Sequence, residues 1–199
     1  MCATTEELLI KRAKKGDSKA FSALLNEHLS MIYNIAYRMT GNPDDASDMT
    51  QEVMIKLFKN LDSFNQKSKF STWVYRVATN TCLDELKKIR RKQTLSLDAE
   101  YETDDGNVSF EQEDLSPTPD EQAETNELKD IVARAITRLG EEHRAVIVLR
   151  DIKGLSYGEI AEILNCSDGT VKSRLSRARA KLKEILEKDF NIDGTYFGG

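Results

Sequence analysis

Two helical patterns joined by a five-residue interruption, between Ser156 and Leu186, constrain this chain more than any other feature. Ser156 and Glu159 have the spacing of a capping box, in which hydroxyl and carboxylate each satisfy a free main-chain N–H at a helix start. Ile160, Ala161, Ile163 and Leu164 give the following helix an apolar face. Asn165, Cys166, Ser167, Asp168 and Gly169 then break the period, and Ser167 is placed to cap a second helix. In that helix Val171, Leu175, Ala178 and Leu182 recur every three or four residues, so one face is buried. Lys172, Ser173, Arg174, Ser176, Arg177, Arg179, Lys181 and Lys183 cover the remaining faces. A short helix, a tight turn and a basic helix make a helix-turn-helix. Its second helix suits the DNA major groove, with its N-terminal half toward the base edges. The alternative is a solvated amphipathic pair. Against it, the turn and the Ser-Arg-x-x-Arg-x-Arg pattern sit together where groove reading needs them.

The net charge of −5 conceals this basic character. Residues 93–127 hold twelve acids and no Lys or Arg, and removing them leaves 22 acids against 29 basic residues, a balance of +7. Charge segregated in this way is compatible with a nucleic-acid partner. The acidic tract lacks periodicity, and Pro117 and Pro119 discourage a helix within it. It reads as an extended linker, either a plain spacer or a polyanionic strand fitted to a basic channel. The chain therefore divides into a helical tract over 1–92, a linker over 93–127 and a second helical tract over 128–199. The expected class is all-α, two small helical domains. The tail NIDGTYFGG is expected to fray.

In the first tract, Phe21, Leu24, Leu25, Ile32, Ile35, Ala36 and Met39 make an apolar face ended by Gly41. Asn42-Pro43 starts a helix with Ala46, Met49, Val53 and Leu57 as its core stripe. Phe70, Trp73, Val74, Val77, Ala78 and Leu86 line a longer one. In the second tract, Leu128 to Leu139 and the Val146–Leu149 segment precede the helix-turn-helix. No apolar run approaches the ~18 residues of a membrane span, and the N-terminus lacks the apolar core of a secretory signal. Cys2, Cys82 and Cys166 are odd in number and far apart, which fits a reducing cytoplasm and opposes a disulfide framework or zinc site. His28 and His143 are isolated. The sequence offers no phosphate-binding glycine loop, no metal-ligand cluster, no cofactor motif and no nucleophile with a base.

Two constellations remain. On the helix that starts at Pro43, Asp48, Gln51, Glu52, Ile55 and Phe58 or Lys59 form a second stripe, in which the apolar pair Ile55 and Phe58 is framed by carboxylates. It is either a docking surface for another protein or a wider core with a solvated edge. The segment Asn65 to Trp73 is a polar, partly basic loop running into an aromatic helix start, and Asn80 shares a face with Trp73. Basic, hydroxyl and amide groups of this kind suit a single strand with an unstacked base. The side chains of Phe70 and Trp73 themselves read as core aromatics.

DMTQEVMIKLF, FSTWVYRVATNT, LRDIKGLSYGEIAEIL and GTVKSRLSRARAKL, in this order, resemble the extracytoplasmic-function (ECF) group of bacterial sigma factors, from about Asp17 to Leu186. The resemblance implies a non-enzymatic protein with two partners, RNA polymerase core and promoter DNA. An anti-sigma factor is a further candidate partner. It implies that Asp48, Gln51, Glu52, Ile55 and Phe58 bind polymerase. Lys67, Ser68, Lys69, Phe70, Ser71 and Asn80 correspond to the part that captures a flipped −10 base on single-stranded DNA. Lys172, Ser173, Ser176 and Arg177, with Arg179 beside them, face duplex −35 DNA. A stand-alone helix-turn-helix regulator would need a receiver or ligand domain, and a helical enzyme would need a titratable cluster. The first tract has neither pattern.

Overall fold

The structure, a computed structural model, describes residues 5–95 and 119–190, and every regular element among them is helical. The central part of the acidic tract and the tail after Phe190 lie outside the described residues. The helices are α1 (Thr5–Lys14), α2 (Ser18–Asn26), α3 (Leu29–Thr40), α4 (Pro43–Asn60), α5 (Phe70–Leu95), α6 (Pro119–Thr137), α7 (Glu141–Ile147), α8 (Tyr157–Leu164) and α9 (Asp168–Phe190). A 3₁₀ turn, Leu61–Ser63, follows α4, and a π-helical turn, Val148–Ile152, follows α7.

Local chemistry sets most of the boundaries. Asp17 starts α2 by accepting from the Ala20 N–H at 3.1 Å. That bond, aided by Arg12, holds its carboxylate below the usual range. Gly41 ends α3 in the left-handed region, at φ 79°, with its N–H on the Tyr37 carbonyl. Only glycine adopts that conformation without penalty. The Asn42 side chain caps α4 through the Asp44 and Asp45 N–H groups, at 2.8 and 3.2 Å, and Pro43 occupies the first turn, where no donor is lost.

Two boundaries depart from expectation. Helix α6 begins at Pro119, inside the tract read as linker, and α5 runs to Leu95. Pro119 is the first residue of its helix rather than an interior one. Its fixed φ and missing N–H are suited to that position, and Asp120 and Glu121 are residue types that favour a helix start.

Buried residues of α1–α5 and α6–α9 form one continuous apolar cluster. Phe64, Phe70 and Trp73 pack with ring centroids 5.3–5.5 Å apart. Helix α5 lies against α8 and α7, while α3 lies against α6, α7 and the π-helical turn. The seam between the two helical units centres on Arg144. Its guanidinium donates to the carbonyls of Met39 at the end of α3, of Thr137 at the end of α6, and of Leu139 at 3.0 Å. Burial lowers its pKa, and nearby Glu141 opposes that shift. At 8% exposure the charged group is tolerated because three carbonyls accept from its two terminal nitrogens, while its Nε stays buried without a hydrogen-bond partner. Lys87–Glu142, at 3.3 Å, and Arg90–Glu141, at 3.1 Å, close the seam at the surface.

Candidate nucleic-acid interface

Helix α4 has two opposed characters. Ala46, Met49, Val53 and Leu57 are buried, whereas Ile55 and Phe58 are 47% and 61% exposed. Asp48 and Gln51 are exposed, and Glu52 lies 3.8 Å from Lys56. The spacing left open a wider core. Instead, the two large apolar side chains stay in solvent, framed by acidic and amide groups. Phe58 makes one edge contact, with Phe21 at 5.1 Å.

The loop after the 3₁₀ turn bends at Gln66, φ 58°, and the Asn65 side chain accepts from the Lys67 N–H at 3.2 Å. Lys67 and Lys69 are exposed, and Ser68 and Ser71 are half-buried. Phe70 is 2% exposed, so its side chain belongs to the core and anchors the loop rather than offering a ring to a base. Asn80, half-buried on α5, borders an open groove of about 310 Å³ between α4 and α5 of mixed character, lined by Lys56, Asn60, Ser63, Arg76 and Asp84 together with Trp73, Val77 and Thr81. On its other side, Asn80 Nδ2 donates to the Ile163 carbonyl of α8 at 3.2 Å. The Lys67–Ser71 loop leads into the first turn of α5, and Asn80 lies about 15 Å further along the same helix, in its N-terminal half. Sequence reading did not find the two cations of this lining, Lys56 of α4 and Arg76 of α5, nor Asp84 beside them. Lys56 and Asn60 lie four apart on α4, a helical spacing that carries the signal.

The helix-turn-helix follows the expected chemistry. The Ser156–Glu159 capping box forms with both reciprocal bonds. Those bonds, the Ser156 hydroxyl first, hold the Glu159 carboxyl below its usual range. The turn is made by Asn165, φ 50°, one of the few residue types that tolerate that region. The Cys166 N–H returns to the Ala161 carbonyl at 3.0 Å. Ser167 caps α9 by accepting from the Thr170 N–H at 3.1 Å. Val171, Leu175 and Ala178 are buried; Lys172, Ser173, Ser176, Arg177 and Arg179 are all exposed.

These cations are not equivalent. Arg174 pairs with Glu142 at 3.0 Å, Arg179 pairs with Asp151, and Lys172 sits 5.9 Å over the Tyr157 ring. Further along α9, Lys181 and Lys188 both hold Glu184, drawing its carboxyl down to about 2, and Lys183 faces Glu187. Among the described residues Arg177 makes no ion pair. Basic charge not offset by acids of α9 itself is thus concentrated in the helix's N-terminal half. That is the part of a recognition helix that meets bases. No cluster of metal-ligating side chains occurs among the described residues. No described helix is long and apolar enough to cross a membrane.

Comparison with known proteins agrees with this layout. Residues 24–92 match the Sigma-70 region 2 family and residues 129–182 match Sigma-70, region 4. The chain is 40% identical over 178 residues to the ECF RNA polymerase sigma factor SigW of Bacillus subtilis, covering 89% of this chain and 94% of the relative. It is 38% identical to the ECF RNA polymerase sigma-E factor of Escherichia coli K12, covering 92% and 95%. The fold is similar to that of the sigma factor RpoE in its complex with the anti-sigma factor NepR from Bartonella quintana. That match has a TM-score of 0.64 and 26% identity, over 86% of this chain and 99% of that one. The structure of CnrH with the cytosolic domain of CnrY gives a TM-score of 0.62 and 25% identity, over 94% and 99%. The chain belongs to the ECF sigma factors of RNA polymerase. Its work is to bind polymerase core and direct promoter recognition and transcription initiation, without catalysis of its own.

Proposed function

We propose that the α4 stripe is the polymerase-docking face, that the 65–71 loop with Asn80 captures an unpaired −10 base, and that the N-terminal half of α9 reads the −35 duplex. On this reading residues 1–92 serve the first two tasks, 128–199 the third, and 93–127 connect them in a cytoplasmic protein. Ile55 and Phe58 carry the proposal, because they are large apolar side chains kept in water beside Asp48, Gln51 and Glu52 on a helix that buries its opposite stripe. Exposed apolar pairs with a polar rim are characteristic of protein docking. The groove bordered by Lys56, Arg76 and Asn80, with Asp84 also on its lining, supports a single-strand role by its two cations and its amide donors. One of the structural relatives described above is a sigma factor in complex with an anti-sigma factor, which makes an anti-sigma factor a further partner for this chain.

The test reverses the charge at Asp48 and Glu52. Core binding in a pull-down is abolished while the circular dichroism spectrum stays helical; lost helicity would assign these residues to the fold. In parallel, Asn80→Ala in the polymerase complex slows strand opening seen by permanganate and leaves −35 duplex binding unchanged. Normal melting would exclude Asn80 from the site.

A further inference from the structure

We infer that Lys14, on α1, is a positioning residue for −10 base capture: its ammonium pins the root of the 65–71 loop, which is thereby held in its capturing shape before a strand arrives. The inference rests on the reading of that loop as the −10 site. It adds a residue that lies N-terminal to 24–92, the segment matched to Sigma-70 region 2.

The geometry starts from α1. Ile10 and Ala13 are buried and seat the helix on the body, where it packs on α2 and on the 3₁₀ turn. Gly16 ends α1 at φ 89°, with its N–H on the Ala13 carbonyl at 2.9 Å. Lys14, half-buried in the last turn, therefore has a fixed origin. Its ammonium crosses to residues about fifty positions later and donates to two carbonyls, Asp62 at 3.1 Å and Phe64 at 2.5 Å. The 3₁₀ turn itself uses the Leu61 carbonyl, which accepts from the Phe64 N–H at 3.1 Å. Lys14 thus takes carbonyls at the C-terminal end of that turn, as a lysine can at the end of a helix.

The Phe64 carbonyl matters most. It shares one rigid peptide plane with the Asn65 N–H, so fixing the oxygen fixes the direction in which the chain enters the loop. The Phe64 ring is 3% exposed and packs on Phe70 and Trp73, which locks the other side of the same residue. Phe70, 2% exposed, anchors the far end. Between the two anchors Gln66 holds φ 58°, a region that is unfavourable for a residue with a side chain and persists only when its surroundings impose it. Without Lys14 the entry peptide is free to turn, Gln66 relaxes, and the Lys67–Ser71 groups lose their common aim. A strand then pays for ordering them when it binds, and apparent affinity falls by the fraction of loops in the competent shape.

The experiment uses the full-length chain with polymerase core. The probe is a promoter selected by wild-type holoenzyme in run-off transcription from a randomised library, with its −10 segment premelted by mismatches. Lys14→Met keeps the apolar stem and removes the donor; Lys14→Arg restores donors and charge. Lys14→Met is expected to bind the premelted probe about five- to tenfold more weakly than wild type. Core affinity, and binding to a duplex that carries only the −35 element, are expected to stay unchanged. An abasic site at the −10 position that weakens wild type most should make the two proteins equal, because only a captured base reports the aim of the loop. Lys14→Arg should recover most of the loss. Should Lys14→Met not fold by circular dichroism, Lys14→Gln, with a stem too short to reach both carbonyls, takes its place. Wild-type binding by the variant overturns the inference. So does a loss that is the same with and without the base, or an Arg variant as weak as the Met variant, since either would reduce Lys14 to a part of the fold. Lys67→Ala/Lys69→Ala separates the two levels. If this loop variant is impaired while Lys14→Met is not, the inference alone fails. If the loop variant binds as wild type and no abasic position matters, the −10 assignment has failed and the inference falls with it.

Discussion

Arg179 and Asp151 face each other as a two-pronged ion pair, with Arg179 Nε on Asp151 Oδ2 at 3.1 Å and the second nitrogen on Oδ1. Arg179 lies on α9 and Asp151 on the π-helical turn after α7, so the pair fixes the flank of the recognition helix. Both groups are substantially exposed, which limits such a pair to about 0–1 kcal/mol. A phosphate can therefore replace the carboxylate. Asp151→Ala is expected to leave thermal stability nearly unchanged and to strengthen duplex DNA binding. The slope of log K against log salt should steepen by up to ~0.9, one more phosphate contact. Titrations of labelled duplex across a salt series check this, and an unchanged slope removes Arg179 from the DNA face.

Arg177 and Arg174 separate base reading from helix positioning. Arg177 is exposed and makes no ion pair among the described residues, whereas Arg174 is held by Glu142. Arg177→Ala is expected to cost about 1–3 kcal/mol on the preferred −35 sequence and to flatten discrimination among −35 variants. Arg174→Ala should leave discrimination largely intact. Equal loss on every duplex in the Arg177 variant would make it a phosphate contact instead.

Elements with local causes were legible in the sequence. The Ser156–Glu159 box, the Asn42 cap, the Gly41 stop and the buried stripes of α4 and α9 each depend on residues within one or two turns of one another. Residues 1–4, 96–118 and 191–199 lie outside the description. What was hidden was non-local. Arg144 stands beside the apolar run Ala145–Leu149 and reads as a surface charge, because nothing local announces that the Met39 carbonyl, 105 residues earlier, will accept from it. Asn80 was found as a candidate from its helical phase, but its partner 83 residues away was not. The start of α6 was missed because proline was weighed as a helix breaker rather than as a first-turn residue.

Gly41 tests the seam by steric means. A Cβ placed on it would lie 2.6 Å from Thr137 Cγ2, and its φ of 79° is unfavourable to any side chain. Gly41→Ala should lower stability by ~1–2 kcal/mol for the backbone alone, with an added clash against α6. Thr137→Ser removes the offending methyl and keeps the hydroxyl that donates to the Arg134 carbonyl. The double variant Gly41→Ala/Thr137→Ser is expected to recover the steric part and not the backbone part. A urea-unfolding double-mutant cycle measures the two separately, and strict additivity would mean that the residues do not meet.

His28 gives the fold a pH dependence of defined sign. Its ring packs 5.3 Å from Phe70, and burial holds its pKa below the ordinary 6.5, against the opposing pull of Glu6 and Glu27. The folded state therefore binds the proton less readily than the unfolded chain. Linkage makes the stabilisation from neutral His28 complete above pH 6.5, and it declines as pH falls from there through the folded-state value. The carboxylates held below their ordinary values, Asp17, Glu159 and Glu184, act in the same direction, but only in the more acidic range below their unperturbed pKa values of 3.8–4.5. The interval just below pH 6.5 thus isolates the histidine. Urea midpoints for wild type should fall across that interval, whereas His28→Gln, which cannot take up a proton there, should give a flat profile. Parallel declines in the two proteins would show that the titrating group lies elsewhere.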